Sequence, residues 1–378
     1  MTTQQLSHKQ VAGLIKAVGR KRTVIVSGRY GIGKTALQTE FMNDPMFANY
    51  IIPAPIECTQ LSEGDLAMPD IDREKGVSRL LPNERFGVTR DNQKGVNGSR
   101  PVVLMFDEVG KVPPRIVNMI AAPLYERRFG TYSLPEGSIT YGCTNLSEEG
   151  LGDSLPAHIL NRVIHVIMRG PTQAEWVTDF AIPRKLSAEL IAATETFPSA
   201  FDSWEDYQPG GKYAGKDIRK DNPWISNPQD ASQEQCATPR SLHAASDIIE
   251  AAKASGMDDT TLGAALEGTV GAAFAAELTS FIRFGRDIPS FARVVADPAK
   301  CPVPTSPVAQ MVQIFQFVTQ TKTREEVDAV VEYNARQTHE MQSLLINRVA
   351  NTSSVLALFA TNKRFGAALA ENRKFLNL

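Results

Sequence analysis

Apolar residues arrive in two rhythms along this chain. Up to about residue 169 they come as short unbroken runs: "TVIVSG", "YIIPAPIEC", "PVVLMFDEV", "SITYGCTN" and "VIHVIM". Such runs, rich in β-branched residues and bounded by Gly, Pro, Asp or Asn, predict strands buried on both faces. Between them lie helix-forming stretches such as "TALQTEFMND", closed by Asp and Pro. Strands that alternate with helices predict an α/β fold, a parallel sheet sandwiched by helices. After Arg169 the rhythm lengthens: "TQAEWVTDFA", "KLSAELIAATETF" and "TPRSLHAASDIIEAAKAS" read as helices, and strand signals fade. The predicted organisation is an α/β core over 1–169, a helical domain over 170–300 and a helical C-terminal extension over 301–378. A polar stretch near 198–235, rich in Gly, Pro, Asp and Asn, interrupts the second domain and carries Trp204, Tyr207 and Trp224. Loops of that length are usually functional or mobile, and its aromatics are expected to pack in a small cluster.

A chain of 378 residues suits two or three domains with a sizeable core. With 40 Lys+Arg against 42 Asp+Glu the net charge is -2, so no global field draws the molecule onto nucleic acid or a membrane. A local basic patch stays open. The 4 cysteines (Cys58, Cys143, Cys236, Cys301) are far apart and form no C-x-x-C pair, which argues against a disulfide framework or a zinc site and predicts buried, reduced thiols. The five histidines (His8, His158, His165, His243, His339) show no metal-ligand spacing. The N-terminus is polar and then amphipathic, and no apolar run approaches the roughly 18 residues of a membrane span. A cytoplasmic protein with no membrane partner is expected.

"GRYGIGKT", Gly28 to Thr35, fits the phosphate-loop pattern G-x-x-x-x-G-K-[ST]. A strand feeds it and a helix leaves it. The backbone N–H groups of Gly28, Arg29, Tyr30, Gly31, Ile32, Gly33, Lys34, Thr35 and Ala36 would then converge at a helix N-terminus, where unpaired donors and the dipole favour phosphate. Lys34 would reach the β- and γ-phosphates, and the Thr35 hydroxyl would ligate Mg²⁺. "VVLMFDEV" adds a strand ending in Asp107 and Glu108. A carboxylate at a strand end beside the loop holds Mg²⁺ through water, and a second one orients and polarises the attacking water. Alone, two such carboxylates read as a solvated turn; paired with the loop, Asp107 takes the metal role and Glu108 the water role.

With those residues in place, the chain resembles the AAA+ ATPases of the MoxR group. The likeness rests on "GRYGIGKT", "VLMFDE" and the order of features in "DEVGKVPPRIVNMIAAPLYERRFGTYSLPEGSITYGCTN", and it covers roughly residues 10 to 250. The chain departs from the group at "DEVGKVPP", which lacks an Asn two residues after the Glu, and in the long insertion before "ATPRSL". The resemblance implies a P-loop AAA+ core followed by a helical lid, with ATP and Mg²⁺ as ligands. It implies that Asn145 is the polar sensor 1 residue, Arg162 the arginine finger that completes a neighbour's site, and Arg240 sensor 2. Read without it, Asn145 is a turn residue and Arg162 a helix C-cap cation. Arg240 at a helix start is poorly placed for the dipole, which suggests that it serves a bound anion. "ECTQLSEGDLAMPDIDREKGVSRLLPNERFG" and "RRFGTYSLPEGS" lie where the group carries a pore-facing insertion and a hairpin, either of which could grip a partner or be a solvated loop.

Two function classes follow. One is a hexameric ring that remodels a protein partner, in this group often a von Willebrand factor A domain protein or a metalloenzyme awaiting activation. The other is a nucleic-acid motor or loader, restriction-type NTPases included. Balanced charge and the lack of a basic stretch weigh against nucleic acid without excluding it.

Overall fold

A computed structural model describes residues 4–372 apart from 67, 82, 88–89, 92–94, 97–99, 113, 131, 147–156 and 231. The chain divides into two compact units, Met1–Gly170 and Pro171–Leu378.

The first unit is built on a six-stranded sheet. Its strands, numbered in chain order, are β1 Gln5–Leu6, β2 Val24–Ser27, β3 Ile56–Glu57, β4 Val103–Asp107, β5 Ile139–Thr144 and β6 Ile164–Met168. They lie in the order β1-β6-β2-β5-β4-β3, and every neighbouring pair is parallel. Every residue of β2, β4 and β5 is buried, as unbroken apolar runs require when helices cover both faces. The two-residue period of the pleat still sorts their side chains. Ile25, Leu104 and Phe106 enter one core with Ile116, Ile120 and Leu124. Val24, Val26, Val103, Met105 and Tyr141 enter the other with Val11, Ile15, Leu37 and Phe41. From β2 the chain runs outward to β3, whereas from β5 it crosses back to β6 on the far side of β2. The carboxyl ends of β2 and β5 therefore border the crevice where such folds bind ligands.

Local chemistry sets the helices that flank this sheet. Helix His8–Val18 starts at a reciprocal cap, with the Gln10 N–H on the Ser7 hydroxyl at 3.3 Å and the Ser7 N–H on Gln10 Oε1 at 2.8 Å. Helix Pro114–Ala121 runs into a π-helical turn, Ala122–Glu126. Pro123 has no N–H to give this turn, and the buried hydroxyls of Thr23 and Thr140 both donate to the Leu124 carbonyl. Among the described residues three further antiparallel pairs occur: Met68–Asp72 with Val77–Leu81, Arg90–Asp91 with Gly95–Val96, and Arg128–Phe129 with Tyr132–Ser133. The first and the last fall in the two segments read as a pore-facing insertion and a hairpin, in which Ala67, Pro82 and Thr131 lie outside the described residues.

The second unit is helical. Helix Ala188–Thr196 is buried at every position from Ala188 to Thr194, and so forms the centre of the bundle. Around it a single core takes residues from Trp176 through Phe365, among them Leu242, Phe274, Leu278, Phe315, Phe317 and Tyr333. Among its described residues the stretch over 198–235 carries local structure, the short turns Pro198–Phe201 and Trp204–Tyr207 and one short helix, Ile218–Asp221, with most of 209–221 exposed. Its aromatics anchor it. Trp224 sits 4.9 Å from the Phe197 ring and 6.1 Å from Phe274, and Tyr207 lies 5.1 Å from Tyr213. All four cysteines are buried thiols. Among the described residues no helix is long and apolar enough to cross a membrane.

Candidate functional site

The glycine loop leaves β2 at the crevice, and its glycines are there for steric reasons. A Cβ on Gly28 would lie 2.8 Å from both Ile32 Cδ1 and the Met168 carbonyl oxygen. Gly31 and Gly33 have φ of 72° and 96°, a backbone that suits glycine. The Gly28 N–H donates to the Thr144 carbonyl at 3.2 Å, which ties the loop to β5. Arg29 and Tyr30 are partly exposed, whereas Ile32 is buried against Met168. Thr35 then stands at the N-terminal boundary of helix Ala36–Asn43 without a side-chain bond to the helix.

The Lys34 ammonium, on a side chain only 8% exposed, donates to the carbonyls of Gly28 and Arg29 and to Asn145 Oδ1, each at 2.7 Å. Asn145 follows directly on β5, so the lysine of the loop and the polar residue at the neighbouring strand end meet across the crevice. The Thr35 hydroxyl donates to Asp107 Oδ2 at 3.2 Å, and the Glu108 N–H donates to Asp107 Oδ1 at 2.9 Å. Burial lifts the Asp107 carboxyl above its ordinary value, and the nearby Glu108 charge adds to this. The Glu108 N–H, the Thr35 hydroxyl and Lys34 oppose the rise. A buried carboxylate beside a hydroxyl is a hard-oxygen donor set of the kind that would hold a divalent cation. Thr35 and Asp107 thus fit Mg²⁺. No cluster of three or more His, Cys, Asp or Glu side chains occurs among the described residues, so any cation here would be held by few protein ligands.

Glu108 is a non-glycine residue with φ of 56°, and its carboxylate pairs with Lys111 Nζ at 2.7 Å. The structure therefore ties Lys34 to Asn145 and Thr35 to Asp107, two pairs joined through the adjacent loop positions 34 and 35, while Glu108 meets Asp107 through its backbone N–H and its carboxylate pairs with Lys111. Arg162 stands outside these pairs. It follows the short helix Ala157–Leu160 in a turn closed by its own N–H on the Ile159 carbonyl at 2.9 Å. Its exposed guanidinium lies 5.4 Å over the Tyr125 ring, and no carboxylate among the described residues pairs with it. Arg240 belongs to the second unit. It is exposed in the first turn of helix Pro239–Ser255, where the Thr238 hydroxyl accepts the Ser241 N–H at 3.1 Å. His165 is an inner-strand residue of β6 whose Nε2 meets the Ser27 hydroxyl at 2.7 Å. Sequence reasoning missed two participants. Lys111 gives no signal beyond a basic residue three positions after an acidic one, and Thr144, whose hydroxyl accepts the Gly110 N–H at 3.2 Å, reads only as a strand residue.

No family model matches the chain, and no curated protein does. Among solved structures, a "putative ATPase" from Cytophaga hutchinsonii aligns over 97% of this chain and 81% of its own, at 11% identity and a TM-score of 0.29. At that score the likeness carries no weight for function, and the functional reading rests on the site's own geometry.

Proposed function

We propose that the chain is a Mg²⁺-dependent ATPase of the AAA+ class, MoxR-like in kind, that works in the cytoplasm as a hexameric ring and remodels a protein partner such as one with a von Willebrand factor A domain. One observation carries the reading: at the carboxyl end of a parallel sheet Lys34 bonds Asn145, and Thr35 bonds Asp107, whose other carboxylate oxygen accepts the Glu108 N–H. In this reading the loop amides and Lys34 hold the phosphates, and Thr35 and Asp107 hold Mg²⁺, which neutralises charge on the phosphate oxygens. Glu108 polarises the attacking water and Asn145 contacts the γ-phosphate. Arg240 belongs to the helical lid as sensor 2. Arg162, exposed and without an ion-pair partner of its own among the described residues, suits a finger offered to another subunit.

Purified protein with Mg-ATP tests this. Lys34→Ala should abolish nucleotide binding, and Glu108→Gln should keep binding and lose turnover. A Glu108→Gln protein that hydrolyses ATP at the wild-type rate refutes the assignment. Salt-sensitive DNA binding that accelerates turnover would replace the protein-partner reading with a nucleic-acid one.

A further inference from the structure

The carboxylate assigned to the water is held by a cation from its own turn. Lys111 Nζ is 2.7 Å from Glu108 Oε1, with side-chain exposures of 24% and 31%. The turn that sets this distance is tightly fixed. The Lys111 N–H closes it on the Glu108 carbonyl at 3.0 Å, and the Val109 N–H donates to the Cys143 carbonyl at 3.1 Å. The Gly110 N–H donates to the Thr144 hydroxyl at 3.2 Å, so two successive residues are pinned to the end of β5, next to Asn145. The left-handed backbone of Glu108, with φ of 56°, persists because these bonds over-determine it. That backbone folds the turn back so that residues 108 and 111 face each other.

We propose that Lys111 is a positioning residue that restrains Glu108, and that turnover requires the ammonium to be drawn off the carboxylate. A carboxylate that polarises water must offer both a lone pair and its negative charge. An ammonium at hydrogen-bond distance takes one oxygen and neutralises much of the charge. Lysine suits a releasable restraint, since it is a point charge on a flexible stem with no fixed fork to hold the carboxylate in two places. The inference rests on the hydrolysis reading and adds a control element to it.

The test is steady-state hydrolysis of Mg-ATP by the full chain. Lys111→Met and Lys111→Gln should each raise basal kcat about two- to fivefold, the range spanned by a partly exposed ion pair, with KM unchanged. Lys111→Arg, which keeps the charge, should return the rate towards wild type. Adding Lys111→Met to Glu108→Gln should change nothing, because the restraint acts only through that carboxylate. A kcat in both neutral variants that is equal to or below wild type overturns the restraint, as does loss of ATP binding in both, which would make Lys111 structural. Wild-type protein that binds Mg-ATP without hydrolysing it brings down the hydrolysis reading and the restraint together. An active wild type with unaccelerated variants brings down the restraint alone.

Discussion

Replacing Asn145 by Ala should tighten ADP binding. The Lys34 ammonium donates to the Gly28 and Arg29 carbonyls and to Asn145 Oδ1, all at 2.7 Å. A phosphate oxygen that claims the lysine competes with these acceptors, and of the three Asn145 is the one not fixed in the loop backbone. A hydrogen bond to a charged group is worth about 1.5–3 kcal/mol net, and at about 1.4 kcal/mol per tenfold in affinity its removal lowers the ADP Kd by about tenfold or more. ATP behaves differently. The variant also loses the amide that would contact the γ-phosphate, so two changes of opposite sign act on ATP and its affinity moves less than that of ADP. Turnover falls because the γ-phosphate has lost a ligand. Isothermal titration of both nucleotides in Mg²⁺ buffer, on wild type and Asn145→Ala, reads the asymmetry directly. An ADP affinity that is unchanged or weaker in the variant would refute the argument, since Asn145 would then not compete with phosphate for Lys34.

Arg162→Ala should bind ATP nearly normally while turnover falls by about 10³ to 10⁵, and mixing it with Lys34→Ala should restore activity that neither has alone. Full activity in Arg162→Ala by itself removes the finger assignment. Asp107→Asn should lose Mg²⁺-dependent turnover yet raise Tm at neutral pH. Burial holds the Asp107 carboxyl above its unfolded value, so its ionisation costs stability as pH rises through the unfolded value towards the folded one. The gain in Tm should accordingly vanish below about pH 4, and a lower Tm at pH 7 contradicts the sign. Gly28→Ala places a methyl 2.8 Å from Ile32 Cδ1 and the Met168 carbonyl. Denaturant melts should show a loss of about 1–3 kcal/mol, with nucleotide binding weakened; wild-type stability would mean that the loop relaxes freely.

The parallel sheet was legible because its inner strands are doubly covered. Burial on both faces demands runs such as "VLMF", which no polar alternation disguises. The glycine loop was legible for a related reason, as its glycines answer to backbone φ and close approach, constraints that act on residue type directly. Strand β1 was not legible, since two residues carry no period. The π-helical turn was hidden because its causes lie far apart in sequence: Thr23, just ahead of β2, and Thr140, in β5, both reach Leu124. The Glu108–Lys111 pair was hidden too, because a spacing of three brings side chains together on a helix, whereas here the residues sit in a turn with Glu108 in a left-handed backbone. The stretch over 198–235 read as a long loop because its polar residues outnumber its anchors; its aromatics were expected to pack, but Trp224 packs on Phe197 and Phe274 from outside the stretch, partners that the sequence does not mark.

The buried thiols give each unit its own internal clock. In the first unit Cys143 lies in β5 and Cys58 in the turn directly after β3, and Cys301 sits in the helical core of the second. Burial pushes all three thiols above their ordinary pKa, so reaction with a thiol reagent must wait for the surrounding structure to open and the thiolate to form. Labelling under native conditions, followed by peptide mass spectrometry, therefore times the opening of the two units separately in one sample. Comparing those rates with and without nucleotide would show which unit gains protection, even in variants that hydrolyse nothing.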